Sequence, residues 1–86
     1  MSKMKSSITR KANRLLTRRM ENILHLIEVA AAVHDLGEAV EATGSENIER
    51  VFDREMEHLT SAAYRVVESN EEINKWDLEL SVEKAA

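Results

Sequence analysis

Residues 16–40 read LTRRMENILHLIEVAAAVHDLGEAV, and the spacing of their apolar side chains decides the fold. One apolar row is Leu16, Met20, Ile23, Ile27 and Ala30, and a second is Leu26, Val29, Val33, Leu36 and Val40. Both step by three and four, the period of a helix and not of a strand. The rows overlap between Ile23 and Val33, where most of the helix circumference is apolar. A helix with one greasy stripe is satisfied by one partner, whereas a helix greasy nearly all round is buried among several. One return helix cannot cover both rows, so this stretch predicts assembly with further copies.

Outward from this segment, the helical pattern extends from about Ile8 to Thr43, after a start, Met1–Ser7, that reads as disordered. Gly44 suits the left-handed position that closes a helix. Ser45 can cap the next helix, and Thr43 with Glu46 offers an alternative capping box. So short a connection turns the chain back antiparallel. The second helix reads from Glu46 to Glu68, with Ile48, Phe52, Met56, Leu59, Ala63 and Val66 as its stripe. From Ser69 the pattern changes. A short third helix fits Ser69–Lys75, and the residues from Trp76 to Glu83 then alternate apolar and polar, the period of a half-buried strand. The segment 69–86 is therefore expected as a short helix or strand and tail. The fold expected is all-α: an antiparallel two-helix hairpin in one domain, 1–86, assembling into a helical homo-oligomer, a dimer or higher.

Composition agrees. The 86 residues contain no Pro, no Cys and two Gly, with 43% apolar and 33% charged residues. A chain of this length buries a thin core, and small scaffolds are stapled by disulfides, metals or copies of themselves. Cysteine is absent, which leaves assembly as the default. The longest apolar-rich run, Ile23–Val33, is interrupted by His25 and Glu28 and is too short for a bilayer span. A leaderless, cytoplasmic protein with no membrane role is the expectation.

Charge is strongly asymmetric. The first twenty residues carry seven Lys and Arg and no acid, and the remaining 66 carry a net −11, which together give the −4 of the chain. Arg10, Arg14 and Arg18 repeat every four residues with Lys11 and Arg19 beside them, a basic helical face able to attract phosphates. These five are the expected anion-binding residues, with nucleic acid or another phosphate-bearing ligand as partner. Ile23, Ile27, Ala30, Val33, His34 and Gly37 are the expected oligomer interface. Trp76, Leu78 and Leu80 are the expected contacts for a protein partner, with Trp76 as anchor.

One motif carries chemistry. Ala31-Ala32-Val33-His34-Asp35-Leu36-Gly37 resembles the histidine–aspartate doublet, followed closely by Gly, of the HD-domain metal phosphohydrolases. The resemblance implies a divalent cation that activates water, a further His well upstream and an Asp well downstream on other helices. His25 is nine residues upstream on the same helix and on its opposite face, about 900° away around the axis. Asp53 and His58 follow on the return helix. Because the chain is short for the bundle that this resemblance implies, the expectation drawn is non-enzymatic, with no catalytic or metal-binding residue and no cofactor. It is a small regulatory or inhibitory binding protein, of the size that mobile elements such as phages encode, engaging an anionic partner through the basic helix. An inhibitor or adaptor acting through residues 76–82 is the alternative, and a metal phosphohydrolase the minor one.

Overall fold

The structure, a computed structural model, describes residues 3–85, and the side chains of 7–83. Two helices make it up: α1, Lys3–Thr43, and α2, Glu46–Ala85. They lie side by side as an antiparallel hairpin 62 × 22 × 13 Å in extent. The all-α hairpin read from the sequence is the observed architecture. No strand occurs among the described residues.

The seam between the helices follows a heptad step. On α1 it comprises Ala12, Leu15, Arg19, Asn22, Leu26, Val29, Val33, Leu36 and Val40, all buried or half-buried. On α2 it comprises Ile48, Phe52, Glu55, Leu59, Ala62, Val66, Ser69, Ile73, Trp76 and Leu80, again all buried or half-buried. Alternating steps of three and four keep each side chain facing its partner helix, as in an antiparallel coiled coil. Register is fixed by named contacts. The Asn22 amide donates to Ser69 Oγ at 2.7 Å, Arg18 pairs with Glu72 at 3.3 Å, and Lys11 Nζ sits 5.7 Å from the Trp76 ring centre. Ser69 in turn donates to the Arg65 carbonyl at 2.9 Å, so the one buried polar side chain at the seam is satisfied.

The turn follows its residue chemistry. Gly44 takes φ 63°, and its N–H donates to the Val40 carbonyl at 2.8 Å. This closes α1 with the left-handed cap that glycine adopts without a Cβ clash. Ser45 Oγ accepts from the Ile48 N–H at 3.3 Å, the N-cap bond of α2, and Glu46 and Glu49 place negative charge in the positive first turn.

Three boundaries differ from the sequence reading. The helix begins at Lys3, so of the segment expected to be disordered only residues 1–2 lie outside the described residues. Ser69 starts no third helix: it faces the seam inside α2 and is spent on Asn22. The stretch 76–82 is helical and not extended. Its apolar residues sit where a helix can use some of them, since Ile73, Trp76 and Leu80 continue the seam opposite the start of α1. The i, i+2 alternation is an accident of Leu78 and Val82, each 67% exposed, lying on the outer face.

Candidate metal centre

His34 projects from the fourth quarter of α1, one step off the seam residue Val33. Its Nδ1 lies 3.6 Å from Asp35 Oδ1, and its Nε2 lies 3.5 Å from Glu38 Oε1. The donor atoms of the three residues all fall within 4.8 Å of one another, the one such group of three among the described residues. Helix geometry produces this. Glu38 is one turn beyond His34 and lies on the same face, while Asp35 approaches around the cylinder through its short carboxylate arm. The side chains are 70%, 82% and 69% exposed, so the cluster is open to water on its outer side.

The other histidines stand elsewhere. His25 is exposed on the far side of α1, and the His58 ring contacts Glu55 at 3.1 Å on α2. Asp53 belongs to α2 and does not join the group.

A model of the HD domain matches residues 7–86. The chain belongs to the HD-domain family. No curated protein and no solved structure matches it. The family is that of metal-dependent phosphohydrolases, which overturns the expectation of a non-enzymatic binding protein. That expectation rested on chain length against a seven-residue motif. The family match covers the chain almost from end to end, and the His34–Asp35 doublet lies within it.

The donor set bears directly on the cation this family implies. An imidazole nitrogen and two carboxylate oxygens suit a divalent cation, and three protein donors with water completing the shell is the pattern of catalytic sites. These residues therefore fit one cation held from one side. The second histidine and distant aspartate that the doublet's resemblance implies are not brought to it by the hairpin. Glu38 is the residue that sequence reading passed over. Its signal was present in the four-residue spacing from His34, but the resemblance implies only His and Asp.

The remaining candidate residues are distributed as follows. Of the expected interface, Ile27 is 58% exposed and Ala30 and His34 are exposed, whereas Val33 belongs to the seam. Ile23 is half-buried. Gly37 faces Phe52, where an added Cβ would meet the ring at 3.4 Å. Of the basic residues, Arg18 is engaged by Glu72, Lys11 by Trp76, and Arg19 is half-buried at the seam, which leaves Arg10 and Arg14 as the exposed pair. Trp76 and Leu80 line an open groove of about 340 Å³ with Ser7, Ile8 and Lys11, and Leu78 is exposed. Among the described residues no helix is long and apolar enough to cross a membrane.

Proposed function

We propose that this HD-family chain is a metal-dependent phosphohydrolase acting on a phosphate ester, with His34, Asp35 and Glu38 as its cation-holding residues. The observation that carries the reading is the position of the His34 ring, between two carboxylates, on the motif that names the family. A bound cation supplies Lewis-acid polarisation of a phosphoryl oxygen and an acidified water.

The chain's own residues do the positioning. A neutral imidazole ligates through one nitrogen only, and the other is free to donate to a carboxylate. His34 would supply one ring nitrogen and Asp35 and Glu38 a carboxylate oxygen each, the three donor atoms lying within 4.8 Å of one another. The outer exposure of the cluster gives a phosphate ester direct access. Arg10 and Arg14 lie twenty or more residues back along α1, roughly 30 Å at 1.5 Å per residue. At that distance they do not touch a phosphate held at His34 in the same chain. Their part is long-range attraction of an anionic substrate, which weakens as salt is added.

The test is phosphate release from nucleoside mono- and triphosphates and from p-nitrophenyl phosphate, with manganese or magnesium present. Expected is metal-dependent release that chelation abolishes and that His34→Ala lowers by about 100-fold. His25→Ala, on the opposite face, leaves it unchanged. Absence of metal-dependent release from every substrate, or a His34→Ala variant as active as the parent, would overturn the proposal.

A further inference from the structure

The hairpin is one layer of helices, and its two broad sides differ. In an antiparallel pair, residues one step after the seam on each helix face the same side, and residues one step before it face the other. Arg18 and Glu72, each one step before a seam residue, meet across the pair and confirm the rule. The side one step before the seam is mostly polar, with Arg54, His58, Ser61, Arg65, Glu68 and Glu72 on α2 and Val51 (43% exposed) as the large apolar exception. The side one step after it carries Leu16 (46% exposed), Met20 (56%) and Ile27 (58%) from α1, and Met56 (41%) and Val67 (50%) from α2. This is the first of the two apolar rows in residues 16–40, left uncovered while the second forms the seam.

We infer that this apolar side is the contact surface for a second copy of the chain, docked antiparallel so that two hairpins make a four-helix bundle. Three observations fix the occupant and its direction. First, among the described residues only Leu15, Val29 and Ala62 are buried apolar residues, so a lone hairpin has almost no core. Stable domains need a second layer.

Second, the accessible surface is 6914 Å² for 9.8 kDa. A compact monomer of that mass exposes about 5,200 Å², so each chain shows roughly 1,700 Å² in excess. Removing that excess from two copies buries about 3,400 Å², inside the range of obligate homodimers. The radius of gyration tells the same story: 19.3 Å against about 12 Å for a globule of this length.

Third, the ends of the hairpin differ in charge. The open end, residues 1–20 with 69–86, carries nine bases against five acids, a net +4, whereas residues 35–58 around the turn carry eight acids against Arg50 and Arg54, a net −6. Parallel docking would set like ends together within a Debye length, and antiparallel docking sets unlike ends together. The His34 clusters then lie at opposite ends of the bundle, each built from its own chain. The inference is independent of the catalytic proposal, and its test reads neither metal nor activity.

The test uses light-scattering mass together with cysteine cross-linking in the full chain, which has no native cysteine. The parent chain is expected at twice 9.8 kDa, and Ile27→Asp at the single-chain mass, while Ser61→Asp on the polar side stays dimeric. Because Ile27→Asp can lose its fold along with its partner, the cross-links decide independently. Ile27→Cys, near the centre of the stripe, is expected to oxidise to a linked dimer, and Ser61→Cys is not. Leu16→Cys, eleven residues from that centre, is expected not to link to itself. A helical single-chain mass for the parent at tens of micromolar, or equal linking through Ile27→Cys and Ser61→Cys, would overturn the inference. Self-linking of Leu16→Cys would overturn its direction.

Discussion

Gly37, expected from sequence at an oligomer interface, lies against Phe52 inside the hairpin. Yet a Cβ there would meet the ring edge at 3.4 Å, an ordinary contact, while glycine inside a helix costs about 1 kcal/mol relative to alanine. Gly37→Ala is therefore expected to raise stability by about 0.5–1 kcal/mol in denaturant unfolding; a loss would mean that the helices pack more tightly than observed. Gly44 is the opposite case, because its φ of 63° penalises any side chain by about 1 kcal/mol. Ser45→Ala, which removes the acceptor of the Ile48 N–H, is expected to cost about 1 kcal/mol. His34 was expected at a contact between copies of the chain. The structure leaves it exposed between two acids because its row is the one that α2 does not cover.

At the scale of the element, the heptad step decides what was legible. The rows in residues 16–40, the Gly44-Ser45 turn and the stripe of α2 are strong local signals, and they carried the hairpin into view. The end of α2 was misread because Trp76, Leu78, Leu80 and Val82 satisfy two periods at once over so few residues. Long-range pairing resolved the ambiguity, since Ile73, Trp76 and Leu80 have the start of α1 to pack on, a fact no local window contains. Trp76→Ala is accordingly expected to destabilise by about 1–2 kcal/mol, less than for a fully buried ring, and to loosen both ends of the hairpin together in hydrogen exchange. Ser69 looked like a cap because its partner, Asn22, is far away in sequence. Such a polar pair in an apolar seam fixes register. A double-mutant cycle of Asn22→Ala and Ser69→Ala is expected to show about 0.5–1.5 kcal/mol of coupling. The Arg18–Glu72 pair, half-exposed on both sides, is expected to contribute under about 1 kcal/mol.

At the scale of the whole molecule, the two apolar rows divide their work. One makes the hairpin, and the other faces outward with the His34 cluster at its turn-ward end. Sequence reading saw both rows and the motif but weighed the chain's length against the motif. A metal centre needs few residues when water completes its shell, so chain length excludes less chemistry than it excludes architecture. The basic start of α1 was equally visible, but three of its five named residues are committed to Glu72, Trp76 and the seam, partners that only the folded hairpin supplies.

The most direct test of the account is a calorimetric titration of manganese into the parent chain, His34→Ala and Glu38→Gln at constant salt. One cation per chain is expected for the parent, with affinity lowered by about 100-fold in His34→Ala and by about 10-fold in Glu38→Gln. Saturable binding that is the same in all three proteins, or none in the parent, would contradict a centre built on His34, Asp35 and Glu38.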